Sequence, residues 1–393
     1  MTKAESLYFD FVRVVAAMVV LIGHVAVIMP GTLNFYDLGH YAVVSFFVLS
    51  GYVISYVSDT KERTGTAYFI SRAARVYSVA LPAIALTIVL DMIGRHGINH
   101  QIYNNFPHSW PPMRALVSAT FTNEVWFNSL ILFTNGPYWS LCYEVWYYAI
   151  FGAAVYLKGR ARLVSVACLL AAAGPKMLLL FPIWLLGVAL YRYKAVFSRS
   201  VGIALFLASS IAVVVLTHSS LAFLIGEWMS GTLGAHNFAL LEFSGDFLTD
   251  YIFACLIALN FIAARSFEGL ISTDGRLGAV IRWAAGSTFS LYLFHRPLVV
   301  FLIAVTGVRP TTVSSLILIS ATVILAVALS YLTERRKQFW RKMVGLLLSG
   351  ALDHSFESSR SGPALPGYPK TDVSRELLRG QANPGGRHPE AAN

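Results

Sequence analysis

The sequence has 393 residues, of which 56% are hydrophobic and only 13% charged, with a formal net charge of +10. Soluble domains carry about 25% charged residues, so this composition excludes an ordinary soluble protein and points to a polytopic membrane protein. The basic excess falls between apolar runs, which makes it a topology signal and gives no reason to invoke nucleic acid.

Apolar stretches follow one another at 7–29, 39–58, 76–94, 138–157, 162–173, 177–191, 201–217, 248–264, 287–307 and 313–333. Most approach the ~20 residues that cross hydrocarbon as a helix, although the fifth and sixth are short. The expected fold class is all-α: a polytopic membrane helix bundle of about ten transmembrane helices. The break at Gly174, Pro175 and Lys176 leaves a nine-span alternative, in which it is a kink inside one long helix. Basic residues arbitrate. In the ten-span reading one set of flanks (Lys3, 61–75, 158–162, 192–199, 265–282, 335–342) holds 19 Lys and Arg, against Arg95, Arg114, Lys176 and Arg309 in the other. The positive-inside rule then puts both termini in the cytoplasm, an N-in/C-in topology that nine spans destroy. Glu5 and Asp10 spoil a basic n-region, so the first run is expected to remain as a span and not to be cleaved as a signal peptide.

Two outer segments are long, 95–137 and 218–247, and the first is rich in aromatics and histidine. Within them 126–133 and 221–228 are too short to span and read as interfacial or re-entrant. Residues 1–342 form the membrane domain, and 343–393 read as a disordered cytoplasmic tail of Ser, Pro, Gly and charge. The three cysteines sit in apolar runs as packing residues, without metal-ligand spacing.

The first run, FVRVVAAMVVLIGHVAVIM, carries Arg13 and His24 on one helix face, about 16 Å apart along the axis. Ionisable groups at membrane depth are costly and mark function, the alternative being a snorkelling arginine plus a core histidine. The second run holds a small Ser50-Gly51 step, where a helix or a ligand can come close. Arg72 and Arg75 share a face at the entrance of the third span, with planar donors suited to phosphate, although arginines there also serve as anchors. Glu144 lies about 9 Å into the fourth span and needs a cation, a polar cavity or a proton. His295 lies in SLYLFHRPLV, where Arg296 and Pro297 point to a local structural role. Glu334 is expected to pair with neighbouring arginines. No histidine is followed five positions later by Asp, and no GxSxG elbow or P-loop exists.

In this order the motifs resemble the membrane-bound acyltransferase family 3, over about residues 7–340. Arg13 to His24 is similar to its Arg-x10-His signature, FFVLSGY to its FFxxSGF segment, Arg72 and Arg75 to its RxxR motif, WSLCYE to its WSLxxEE segment and SLYLFHRP to its SLYLxHxP segment. Ser78 replaces a usual proline, and Val145 the second member of an acidic pair. The resemblance implies an O-acyltransferase, here an O-acetyltransferase, of the cell (inner) membrane. The donor would be acetyl-CoA with no metal, and the acceptor a hydroxyl of a glycan or glycolipid, in contact with membrane lipids and polysaccharide biosynthesis machinery. A lipid-linked glycan transporter or flippase is the alternative from another class.

Under the resemblance, His24 is the base that takes the hydroxyl proton, with Arg72, Arg75 and Arg13 on the donor. Oxyanion donors would be Arg13 or backbone near Ser50-Gly51, and Glu144 would orient His24 or bind sugar hydroxyls. Ser50, Gly51, His295 and Trp139 of WSLCYE would contact substrate or support the site. Direct transfer and an acyl-histidine intermediate both remain open.

Overall fold

The computed structural model describes residues 1–33, 38–194, 196–269, 273 and 275–346. Nearly all of the tail predicted at 343–393 lies outside the described residues. Met1–Gly345 forms one compact unit, which is helical with no strand among the described residues.

The first helix, α1 (Lys3–Ile28), opens on a capping box in which Thr2 and Glu5 exchange side-chain and backbone hydrogen bonds. Glu5 is thus a helix-start residue. Next come α2 (Leu38–Thr60), α3 (Gly65–Gly94), capped by Thr64, and the short α4 (Pro111–Ala119). The chain continues through α5 (Tyr138–Tyr156), α6 (Gly159–Ala173), α7 (Pro175–Arg192) and α8 (Arg199–His218). Beyond these lie α9 (Leu221–Leu233), α10 (Ala235–Ala239), α11 (Phe247–Ala264), α12 (Arg276–Ala285), α13 (Thr288–Thr306) and α14 (Thr312–Ser330). The ten predicted runs fall on α1, α2, α3, α5, α6, α7, α8, α11, α13 and α14. Eight of these, all but α5 and α6, are long and apolar enough to cross a membrane. The 15-residue α6 is short, and α5 is loaded with Tyr and Trp and carries Glu144.

Helix ends pair consistently. Arg265, just after α11, donates to Glu5 at the start of α1 (3.0 Å) and to the carbonyls of Leu190 and Tyr193 at the end of α7 (2.8 and 2.7 Å). Ser58 near the end of α2 bonds Tyr156 at the end of α5 (3.0 Å). At the opposite end, Thr32 beyond α1 bonds Ser315 at the start of α14 (2.9 Å). There too the Asn99 amide beyond α3 meets the Ala304 carbonyl late in α13 (2.9 Å).

The break at 174–176 is a turn between two helices. Gly174 adopts φ +82°, a left-handed conformation that favours glycine, and Pro175 starts α7 where its missing N–H costs nothing. Lys176, expected to be an outer loop charge, is instead fully buried. Its Nζ lies 2.9 Å from Glu124 Oε2, also fully buried, and 2.7 Å from the Asn128 carbonyl. Burial pushes the Glu124 carboxyl up, and the ammonium opposes that push.

The 126–133 segment forms no helix but leads into a buried stretch, Leu132 to Asn135, tucked against α3 and α13. Thr134 Oγ1 donates to Asp91 (2.7 Å), and Asn135 Nδ2 donates to the Leu293 carbonyl (2.9 Å). Pro297 explains the second bond: it has no N–H to give Leu293 four residues back, so that carbonyl is free for a side chain. The 221–228 segment lies within α9, too short at 13 residues to span.

Candidate active site

A cavity of about 180 Å³ lies among α1, α2, α3, α5 and α13. Its lining includes Arg13, Ser50, Arg72, Arg75, Glu144, Tyr148 and Tyr292. It follows α2 from Val57 to Val43, about 21 Å of helix. The fold therefore gathers three arginines and one carboxylate, from three separate helices, around one space.

These arginines differ in their attachments. Arg72 donates to Glu62 (2.7 Å), and Arg13 to Asp10 one turn earlier (2.9 Å). The Arg75 guanidinium makes no hydrogen bond or ion pair among the described residues; it lies 5.8 Å from the Phe289 ring centroid. A half-buried guanidinium with no ion-pair partner among the described residues is available to an anionic ligand. Glu144 accepts from the hydroxyls of Ser50 and Tyr148, and the Trp184 indole donates to Ser50 (3.2 Å).

Past Tyr292 lies a histidine pair. The Tyr292 ring is 6.1 Å from that of His295, whose Nε2 sits 3.0 Å from Nδ1 of His24. Local geometry fixes the tautomers. His295 Nδ1 faces the carbonyls of Tyr292 (2.7 Å) and Leu291 (3.2 Å), which only accept, so it carries the hydrogen. In the neutral ring Nε2 is then an acceptor. His24 Nδ1 faces both that acceptor and the Val20 carbonyl (3.0 Å), so it too carries the hydrogen. The lone pair of His24 is left on Nε2, which has no hydrogen-bond partner among the described residues.

Several expectations change. His295, read as a local structural residue, contacts His24 directly. The hydrogen bonds of Glu144 go to Ser50 and Tyr148, so it does not orient His24. Backbone at Ser50-Gly51 is interior to α2, where amides are spent on the helix ladder and leave no oxyanion donor. Gly51 serves a helix crossing: a Cβ there would stand 1.9 Å from the Trp184 carbonyl oxygen of α7, and one on Gly187 1.9 Å from that of Val48. Arg13 lines the cavity roughly 16 Å along α1 from His24, too far to touch an oxyanion beside it. Trp139 is a packing residue, stacked on Phe243 at 4.7 Å and 3°. Glu334 makes no direct ion pair among the described residues; it is buried and accepts from Ser290 N (3.0 Å) and Oγ, satisfying the first turn of α13.

Tyr148, Tyr292 and Glu62 belong to this site although the sequence did not single them out. Tyr148 falls one turn after Glu144 and Tyr292 one turn before His295, so helical spacing from either ionisable residue finds them. Among the described residues no group of three His, Cys, Asp or Glu side chains is arranged to hold a metal.

Comparison with known proteins bears on this constellation. The model of a family described as an acyltransferase domain matches residues 6–335. An O-acetyl transferase of Shigella phage Sf6 is 29% identical over 172 residues, covering 40% of this chain and 48% of that relative. The match thus spans about half the length of the curated relative. No solved structure matches.

Proposed function

Because this chain belongs to the acyltransferase family whose domain covers residues 6–335, we propose that it moves an acetyl group from acetyl-CoA to a glycan hydroxyl. One observation carries the reading: a cavity with the unpaired Arg75 in its wall leads towards a histidine pair whose outer member, His24, has a free Nε2 lone pair. The phosphates of the donor bind Arg75 and Arg72, with Arg13 beside them, and the pantetheine arm follows α2 towards Tyr292. The acceptor hydroxyl gives its proton to His24 Nε2 as its oxygen attacks the thioester carbonyl carbon. The carbon–sulfur bond then breaks, and the imidazolium returns the proton to the departing thiolate. Products are the acetyl ester and CoA.

In this reading His24 is the catalytic base and His295 a positioning residue. Glu144, held by Ser50 and Tyr148, lies on the donor side of Tyr292. The same Nε2 lone pair serves an acyl-histidine route, which ping-pong kinetics distinguish from direct transfer. Ten spans with both ends in the cytoplasm of the cell (inner) membrane agree with the basic-residue bias and with the pairing of helix ends. A glycan or glycolipid of envelope or secreted polysaccharide is the acceptor class.

The test is mass spectrometry of surface and secreted glycans from cells with wild-type protein, with His24→Ala and with the gene deleted. Loss of one acetyl mass increment in both altered strains supports the reading. Identical masses with altered glycan export point to the flippase instead.

A further inference from the structure

Arg296 follows the histidine pair on α13 and is absorbed by nothing described above. Among the described residues its guanidinium makes no hydrogen bond and no ion pair, and its Nε is buried without a partner. It is held from two sides. The ring of Phe106 lies 5.5 Å from Cζ, and NH1 lies so close to Gly136 that a Cβ there would stand 2.1 Å from it. Both residues belong to the 95–137 segment, whose Asn135 is anchored to the Leu293 carbonyl one turn before Arg296 (2.9 Å). Arg296 is also near enough to both imidazoles for its charge to act on them.

A guanidinium remains charged at all working pH, and a half-buried one whose Nε is enclosed without a partner leaves a positive charge uncompensated inside the protein. Such an arrangement persists where an anion arrives with a ligand. The donor phosphates do not supply it, because Arg72 and Arg75 line the cavity on the other side of Tyr292, with Arg75 beside Phe289 two turns before Arg296. A transient oxyanion would neutralise Arg296 only during the reaction, whereas the charge is permanent.

We propose that Arg296 is the anion-binding element of the acceptor subsite, so that the preferred acceptor carries a carboxylate or phosphate close to the hydroxyl that is acylated. The inference rests on the acyltransferase reading and narrows its acceptor to acidic glycans or phosphorylated glycolipid headgroups. Gly136 is then required because a side chain there would displace the guanidinium.

Binding to the full chain in nanodiscs tests this without turnover. The probes are a glucuronate trisaccharide, its carboxyl-reduced neutral counterpart and the neutral trisaccharide bearing one phosphate. At least one anionic probe is expected to bind wild type roughly tenfold or more tightly than the neutral one, as a charge-assisted hydrogen bond provides. Which one does so names the carboxylate or the phosphate as the source. Arg296→Gln should reduce that ratio to about one, Arg296→Lys should keep part of it, and Gly136→Ala should weaken it with the charge intact. Equal binding of all three probes to folded wild type overturns the proposal, as does a preference that survives Arg296→Gln. Acetyl-CoA binding measured on the same sample keeps the two readings separable: its absence strikes the donor half of the acyltransferase reading and leaves the Arg296 comparison standing.

Discussion

At the residue scale the proposed chemistry turns on a single nitrogen. His24 Nε2 is a lone pair because His295 Nδ1 is committed to carbonyl oxygens, which makes its Nε2 the acceptor for His24 Nδ1–H. His24→Ala should lower turnover by about 10² to 10⁴, the usual worth of a positioned base. His295→Ala should cost about tenfold or more in kcat with little change in KM for acetyl-CoA, and His295→Gln, whose amide oxygen accepts as Nε2 does, should recover part of that. Equal kcat in the alanine and glutamine variants would remove His295 from the proton path. The arginines of the cavity separate. Arg75→Ala should weaken acetyl-CoA binding roughly tenfold or more and lower the melting temperature less than Arg72→Ala, because Arg75 forms no direct ion pair among the described residues. Arg72→Ala should also lower the melting temperature, since it strands the buried Glu62 carboxylate. Arg13, His24 and Glu144 were legible because a charge inside an apolar run is expensive enough to stand out, and Arg72 and Arg75 because they share a face at the entrance of the third span. Tyr148 and Tyr292 were not, since α5 and α13 are aromatic throughout, and no local period encodes a contact between His24 and His295, 271 positions apart.

The lesson at the element scale is that breaks in helices do positioning. All ten apolar runs were legible from length and hydropathy, and each became a helix. What the runs did not disclose is how loops enter the bundle. Pro297 frees the Leu293 carbonyl, Asn135 takes it, and the 95–137 segment is thereby fastened beside His295 and Arg296. The buried Lys176 and Glu124 pair fastens the other part of that segment to the start of α7. It looked like a loop charge because spacing cannot show that a segment folds inward. Lys176→Met should cost about 3 to 5 kcal/mol, since it leaves Glu124 buried and unpaired. The sign of its pH dependence follows from Glu124, whose carboxyl burial already pushes up. Without the ammonium its folded pKa lies further above the unfolded value. Stability is then retained below the unfolded carboxylate range and lost as pH rises through the folded value. Thermal melts in detergent should therefore show a larger deficit at pH 8 than at pH 5, and a deficit independent of pH would mean that Glu124 finds another partner.

For the whole molecule, the pairing of helix ends gives a directional arrangement. Glu5, Arg265, Tyr156 and the Glu62–Arg72 pair share one end, together with the basic flanks, while Thr32, Asn99, Ser315 and the 95–137 segment share the other. The cavity arginines and the histidine pair thus lie on either side of Tyr292, whose hydroxyl bonds Ser140 and the Pro137 carbonyl. If the basic end is cytoplasmic, acetyl-CoA never has to cross the membrane and only the acetyl group passes Tyr292. In sealed vesicles of known orientation, acetyl-CoA should be consumed only when supplied on the face that carries Arg72 and residue 342. An impermeant glycan should be modified only on the other face. Tyr292→Ala should open the partition and raise acetyl-CoA hydrolysis in the absence of acceptor, because water then reaches the thioester from the acceptor side. Full-rate modification of an acceptor confined with acetyl-CoA on the basic face would refute the opposed arrangement, and with it the idea that Tyr292 divides a donor chamber from an acceptor one.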